Sequence, residues 1–405
     1  MPELILSPTD TLFFKDGKPF SMGDDTAAQG VFPPYPSVYY GALRASWLYR
    51  NPDKLEELTG ECTPRAYEKD DDSRKRWEET KQQDPTRKLA IQGSGLCALE
   101  GKQAHRLWPI PLDLIQIPNS DPPRVQALKR TIPKHLEGSN LHPELLTNPQ
   151  PEGKVSSLDG KAFLREKDYQ SYLKGEIHEA GLAYVSLDLE AMREDKIGVG
   201  LENATWAAKE GHLYRVQMVR PSTTQEGNHQ QYGFWVRYAG MDDLMGNETD
   251  GFMKLGAEGK TVRYHQKDAG QAAGFFPKPT LEHPWLKLIL ASPAIFRQGS
   301  MPGQFEQSTL NWEVEEQTFK AQLRALTVGK PLYAGGWDIR ARKPKPMYRA
   351  VPAGSTYYLH FDELKQARQF VDATHGQCIS HFRSHEGYGL AFCAPLSPFK
   401  EDAQS

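Results

Sequence analysis

The sequence predicts an α+β fold built from two split β-α-β-β-α-β units, and three observations predict it. The last third reads in that order. The N-terminal part offers strand, helix, strands, loop and strand. At 405 residues the chain is too long for one such unit, and length alone suggests two or three domains. In the last third, the apolar run 285–291 (WLKLILA) is a buried strand. Residues 311–328 carry Trp312, Val314, Phe319, Leu323 and Leu326, a helical stripe. Strand-like runs follow at 333–342 and 355–361, joined by the proline-rich 343–354. Residues 362–374 form a helix, with Asp362 as its N-cap and Leu364, Ala367, Phe370 and Val371 on one face. Residues 388–395 (YGLAFCAP) close the order as a strand. This is the split βαβ of ferredoxin-like (RRM-like) folds, which host many functions.

The N-terminal part is read as a second, heavily inserted copy. Glu3 to Ser7 is a short strand, and Asp16-Gly17 marks a turn within 11–20. A helix starts near Ser37, the expected N-cap, and buries Tyr40, Leu43, Ala45, Trp47 and Leu48 while Arg44 faces out. Residues 51–180 are an expected insertion: 51–88 are highly charged, 118–160 are rich in Pro, Asn and Ser, and 161–180 read as helix. Strand-like runs follow at 182–189, 196–201 and 212–219. The polar stretch 202–211 between the last two is a protruding loop. Residues 234–238 and 261–265 are strands, and Met241–Met245 begin a helix. The small and breaker residues of 268–279 mark a linker, which puts the domains at 1–280 and 281–405.

Composition limits the function. A hydrophobic fraction of 38% is enough for a core, while thirty prolines and thirty-four glycines mean many loops. A net charge of -3 excludes a protein coated in positive charge, so any nucleic-acid surface is local. No apolar run is long enough to span a membrane, and the first residues lack the pattern of a secretory signal. Cys62, Cys97, Cys378 and Cys393 have no metal-ligand spacing, so reduced thiols in a cytoplasmic protein are expected.

Three segments carry candidate chemistry. In LGAEGKTVRYH (255–265), Gly256 and Gly259 expose backbone amides, and Lys254, Lys260 and Arg263 add cations; a phosphate backbone needs that combination. An ordinary glycine turn with solvated charges would contain the same residues. In DIRARKPKPMYR (338–349), Pro344 and Pro346 hold the chain extended. Its Arg340, Arg342, Lys343, Lys345 and Arg349 can then track phosphates, with Trp337 and Tyr348 as stacking rings. The loop at 202–211 and its flanks bring Trp206, Lys209, His212, Tyr214 and Arg215, a tip able to insert between nucleotides. Catalytic signals are poorer. His381 and His385 stand four apart but lack a third ligand, so no metal site and no cofactor are expected. His212 and Tyr214, alternating on one strand, would form a metal-free acid/base pair for RNA cleavage; a strand histidine without that role is the plainer reading.

These pieces together resemble a known family. FFKDGKPF and FPPYPSVYYGALRA, then KIGVGLENATWAAKEGHLYRVQ (196–217), LGAEGKTVRY and GGWD with KPKPMYRAVPAGSTYY look like RAMP-superfamily subunits of CRISPR effector complexes. The likeness is strongest to the subunit-three family of the type III-B (Cmr) complex. Ala257 departs from it where a third glycine is usual, as do Asn203 and Trp206 where charged residues are common. The resemblance implies two ferredoxin-like domains and a non-catalytic, RNA-binding scaffold in antiviral defence. It implies binding of the 5′ handle of the guide RNA (crRNA), and contacts with the large polymerase-like subunit and a backbone RAMP subunit. The expected RNA contacts are Arg44, Lys209, His212, Arg215, Lys254, Gly256, Gly259, Lys260, Arg263, Arg342, Lys345 and Arg349. The alternative within the same superfamily is a metal-free endoribonuclease that processes guide-RNA precursor.

Overall fold

The computed structural model describes residues 1–15, 27–28, 30–55, 84–101, 103–131, 145–149, 158, 160–202, 205–225, 228–241, 243–268, 274–306, 308–314, 317–338 and 343–398. Two antiparallel sheets dominate them. In the first, β1 (Pro2–Pro8) lies between β7 (Asn228–Ala239) and β9 (Thr261–Asp268). Outside β7 come β2 (Ala90–Glu100), β3 (Gln103–Pro109) and β4 (Ala162–Arg165); outside β9 comes the edge strand β8 (Asp250–Lys254). Helix α1 (Pro36–Arg50) connects β1 towards β2. In the second sheet, β10 (Trp285–Leu290) lies between β13 (Thr356–His360) and β14 (Leu390–Pro395). Outside β13 come β12 (Gln317–Thr327) and β11 (Thr309–Val314). Helix α3 (Leu364–Thr374) joins β13 towards β14.

The core of each half runs second, third, first, fourth: β2-β7-β1-β9 and β12-β13-β10-β14. Among the described residues each half has a helix in only one of its two crossovers. The first half lacks a helix between β7 and β9, where turns around the buried Met241, Leu244 and Met245 stand in place of the expected helix start. The second half lacks one between β10 and β12. The helix expected over 311–328 is instead the hairpin β11–β12, paired from Thr309↔Gln322 to Val314↔Gln317. The reason is parity. β11 buries Leu310, Trp312 and Val314, and β12 buries Phe319, Ala321 and Leu323. Two period-2 rows that change parity across a turn imitate helical spacing when read as one segment.

Alternation along the central strands assigns one row to each face. Leu4 and Leu6 join Phe234 and Val236 under α1, whereas Ile5 and Trp235 point the other way. Leu288, Leu290, Ala391 and Cys393 pack under α3, whereas Ile289 and Phe392 point the other way. The sheets therefore stand back to back, with α1 and α3 on the outer faces. Strands buried on both faces read as continuous apolar runs, as WLKLILA and GLAFCA do. The shared layer is aromatic. Trp108 lies 5.4 Å from Tyr169, 5.2 Å from Trp235, 5.0 Å from Phe276 and 5.5 Å from Phe392, measured between ring centroids. Tyr169 belongs to α2 (Glu166–Lys174), the described helical part of the expected 161–180. Phe275 and Phe276 come from the expected linker and pack in this layer, while Gly274, Pro277 and Lys278 beside them are exposed.

The expected insertion 51–180 also holds β2, β3, β4 and α2. β2 is the second core strand, and its glycines hid it. A Cβ on Gly93 would stand 2.7 Å from the Phe275 ring, and one on Gly95 would stand 3.0 Å from Trp235. The strand is small where the aromatic layer presses on it, so its own sequence carries little apolar signal. Two expected caps also differ. Tyr35 precedes α1, with Pro36 in its first turn, while the Ser37 hydroxyl lies 3.1 Å from Tyr388 Oη. Asp362 lies two residues before α3, and Glu363 precedes that helix without a side-chain cap bond.

Charge is buried at the same junction. The Asp113 carboxylate is fully buried and accepts from Tyr172 at 2.6 Å, from Tyr358 at 2.6 Å and from Lys287 at 3.1 Å. Burial, then the Asp113 charge, raises the pKa of both tyrosines, so they stay protonated donors. Removing one partner from a buried ion pair leaves an uncompensated charge. Lys287→Ala is expected to cost about 3–5 kcal/mol. The paired change Asp113→Leu with Lys287→Met should cost clearly less. Chemical denaturation of the three chains measures both.

Three histidines of the second half are held neutral. His375 Nε2 donates to Phe276 O at 3.2 Å, and its Nδ1 accepts from the Cys393 amide at 3.1 Å. Burial lowers its pKa, and it lowers those of His381 and His385 in the same way. A depressed folded-state value gives stability that is present above the ordinary histidine pKa and lost as pH falls. The melting temperature should be flat at pH 7–8 and fall below about pH 6.5. His375→Gln should melt lower at pH 7.5 and show a shallower fall between pH 7.5 and 5.5.

Candidate nucleic-acid interface

The glycine segment forms the turn of the β8–β9 hairpin at the edge of the first sheet. Leu255 donates to Lys260 O at 2.9 Å, and Ala257 donates to Phe13 O at 2.9 Å. Gly256 (φ 83°), Glu258 (φ 59°) and Gly259 (φ 63°) all take left-handed backbone. Gly256 is needed for its own chain: a Cβ there would stand 2.5 Å from Phe13 O. Gly259 faces open space. The amides of Glu258 and Gly259 have no partner among the described residues.

Alternation sets the outward row of this hairpin. Val262, Tyr264 and Met253 are buried, so Arg263, Phe252 and Lys254 point out. Phe252 pairs with Arg263 across the ladder and is 67% exposed. Arg263 is 63% exposed and lies 3.6 Å from Asp250, which also lies 3.0 Å from His265 Nδ1. Lys254 stands over the Tyr49 ring at 5.4 Å. Lys260 is more enclosed: its Nζ donates to Asp10 at 2.8 Å and to Thr11 Oγ1 at 3.2 Å. The Lys260 hydrogen bond holds the Asp10 carboxyl below its ordinary pKa. Asp10 also meets Arg220 at 3.5 Å, and Arg220 pairs with Glu194.

Glu194 belongs to β5 (Arg193–Leu201), which forms a ribbon with β6 (Ala208–Val219). The glycine hairpin and the ribbon root are therefore joined by one chain of ion pairs. At the ribbon tip, Trp206 is 80% exposed with φ 56°, and its amide donates to Glu202 O at 2.8 Å. The expected loop 202–211 is thus a tighter turn, since β6 begins at Ala208. Arg215 pairs with Asp195 across the ribbon. Lys209 and His212 lie on β6, with side chains outside the described residues. Tyr214 covers Gly198, where a Cβ would meet its ring.

The other basic segment lies elsewhere. Lys343–Pro344 pairs with Trp337–Asp338, and Tyr348–Ala350 pairs with Leu332–Ala334. Lys345 Nζ lies 3.6 Å from the buried Glu386, whose other oxygen has no hydrogen-bond partner. Tyr348 stacks on Phe382 at 5.0 Å under Arg383, so its ring is used inside the fold. Arg349 is exposed; Arg342, Arg340 and the Trp337 side chain lie outside the described residues. This segment sits by the N-terminal end of α1, where Ser37 meets Tyr388 and Tyr40 meets His385. The glycine hairpin sits by the other end, where Arg50 binds Tyr264 at 2.8 Å. The 15 residues of α1 separate the two by about 22 Å.

Arg44 belongs to neither end. Its Nε donates to Thr86 Oγ1 at 2.7 Å and its guanidinium pairs with Asp84, on the 3-10 turn Pro85–Lys88 and its cap. Arg44, an expected RNA contact, is thus engaged by Asp84 and Thr86, away from the glycine hairpin. Sequence reasoning also missed Phe252. Its signal was available, since alternation with the buried Met253 puts it on the outer row. Asp10, Asp84 and Glu386, which hold Lys260, Arg44 and Lys345, gave no signal in the sequence. Among the described residues no group of acids, histidines or cysteines can hold a metal, and no helix is long and apolar enough to cross a membrane. Burial pushes the thiols of Cys97, Cys378 and Cys393 up to about 12, so they are unreactive; Cys62 lies outside the described residues.

A double antiparallel-sheet protein with a cation-bearing glycine hairpin at one sheet edge is the class that the fold and site define. Residues 4–396 match the family described as CRISPR-associated protein (Cas_Cmr3), and the chain belongs to that family. Two solved structures are similar to it, each at 14% identity over 88% of this chain and 86% of theirs. One is a chain of a type III-B Cmr-beta bound to cognate target RNA and AMPPnP, with a TM-score of 0.43. The other is a chain of a type III-B Cmr-beta bound to cognate target RNA, with a TM-score of 0.42. Scores at that level carry no argument about this chain. No curated protein matches the sequence.

Arg44 is expected to act in the fold. Arg44→Ala should lower stability by about 1–2 kcal/mol, because it leaves the mostly buried Asp84 without its cation. RNA affinity of the folded chain should stay unchanged. Thermal melting and a filter-binding titration on the same preparation measure both.

Proposed function

We propose that the protein is a non-catalytic RNA-binding subunit of a type III-B CRISPR effector, built on two ferredoxin-like units. In this reading it holds the 5′ handle of the guide RNA. It also bridges the large polymerase-like subunit to a backbone RAMP subunit. Membership of the family supports the setting, and the strand order shared by both sheets supports the two units. The observation that carries the RNA reading is the glycine hairpin. Two amides without partners, Lys254, Arg263 and the exposed Phe252 ring lie together on one edge. Amides and cations suit phosphate, and an exposed ring suits an unstacked base. Lys260 shapes the loop through Asp10 and contributes less to phosphate than the two exposed cations. Lys209, His212 and Arg215 on the ribbon, and Lys345, Arg349 and Arg342 beyond the far end of α1, would touch a longer RNA path.

The test uses guide RNA with its 5′ handle, titrated at several salt concentrations. Lys254→Ala with Arg263→Ala should reduce the salt slope by about two units, roughly one per lost phosphate contact. Phe252→Ala should weaken binding at all salts alike, by about tenfold. An unchanged slope in the double variant rejects this placement. Incubation with repeat RNA in EDTA supplies a second arm: cleavage lost in His212→Ala would replace the non-catalytic reading with the endoribonuclease.

A further inference from the structure

The β5–β6 ribbon has a feature that RNA binding leaves unused. KIGVGL (196–201) alternates, so Ile197, Val199 and Leu201 share one face while Gly198 and Gly200 share the other. The glycine face is occupied at Gly198 by the Tyr214 ring. The apolar face is open: Ile197 is 68% exposed, Val199 42% and Leu201 47%. An exposed apolar row on a long edge strand invites pairing with another chain unless something covers it.

β5 is that edge. The sheet order places β6 on one side of it and no described strand on the other. The ladder phase follows from one bond. Arg220 donates to Met192 O at 2.7 Å, and Val219 exchanges both of its bonds with Leu12 instead. Met192 and the residues two and four further on therefore bond to β6. Asp195, Ile197 and Val199 turn their N–H and C=O groups to the free side, whereas the Arg193 N–H, on the same side, is taken by Glu190 O at 3.1 Å. The charges on the apolar face of the row are matched, and Lys196, on the glycine face, has no ion pair among the described residues. Arg193 pairs with Glu190, Asp195 with Arg215, and Glu194 with Arg220. A neutralised, apolar strand edge suits neither phosphate nor a charged helix.

We propose that β5 is a docking edge for an extended segment of a neighbouring protein subunit. That segment pairs with the outward backbone groups from Asp195 to Val199. It sets its own alternate apolar residues against Ile197, Val199 and Leu201. Main-chain bonds supply affinity, and the apolar row fixes register, as in other strand additions. The matched charges require a partner strand that is itself near neutral. The proposal rests on the reading that this chain works inside a multi-subunit complex; it is independent of where the guide RNA lies.

The test uses the assembled complex with guide RNA, and the free chain as a control. Ile197→Pro removes one N–H that points away from β6, a change that edge strands tolerate. Its retention in the complex should fall about tenfold, the effect of one donor lost from a buried ladder. Val199→Asp should act in the same direction through the apolar row. The melting temperature and guide-RNA affinity of the free chain should stay unchanged in both. A photoreactive phenylalanine analogue at position 199 should cross-link to one extended peptide of a different subunit. Cross-links to guide RNA, to a second copy of this chain or to nothing would overturn the proposal, as would full retention of Ile197→Pro. Loss of the RNA salt effect above with this cross-link intact would reject the RNA placement alone.

Discussion

Everything else in this protein depends on the aromatic layer between the two sheets. Trp108, Tyr169, Trp235, Phe275, Phe276 and Phe392 come from five stretches of chain and meet within one layer. Large rings bury much apolar area at little conformational cost. Their packing dictates the small residues facing them, Gly93 and Gly95 among them. The layer takes up the inner faces together with α2, and α1 and α3 lie on the outer faces. Covering both faces makes the central strands fully apolar, and it places any ligand site at sheet edges and hairpins.

The buried charges inside this junction are paired, whereas Trp108 Nε1, Trp235 Nε1 and Tyr169 Oη have no hydrogen-bond partner among the described residues. Asp113, Lys287, Tyr172 and Tyr358 tie the segment between the second and third core strands of the first sheet to the second sheet. Glu3, with Arg106 at 2.7 Å and Arg237 at 3.1 Å, ties three strands of the first sheet. Arg237 lies over Phe275 at 4.0 Å. A buried ion pair adds little net stability against a hydrophobic equivalent, but a broken one is costly. Such clusters therefore favour one docking of the halves over others.

At the surface the same chemistry sorts the cations. Arg44, Lys345 and Lys260 are held by Asp84, Glu386 and Asp10, so their first role is to fix local structure. Lys254 and Arg263 remain largely open beside Phe252, and Arg349 is exposed. The Lys260–Asp10–Arg220–Glu194 chain links the glycine turn to the root of the β5–β6 ribbon.

The sequence alone determined the elements whose periodicity is strong: β1, α1, β5, β6, β10, α3 and β14 lie where the alternation or helical stripe puts them. It also determined the glycine turn, because left-handed backbone at Gly256 and Gly259 is a property of the residue. Its family likeness rests on ordered motifs that the match over residues 4–396 bears out. The tertiary structure decided the rest. β11 and β12 imitate a helix until their partners are known, because a parity change across a turn produces helical spacing. β2 looks like loop because its glycines serve rings from residues 235 and 275. Which cation is open and which is held depends on acids from 40 to 250 residues away. No local pattern encodes such pairings, since only the folded chain brings those charges together.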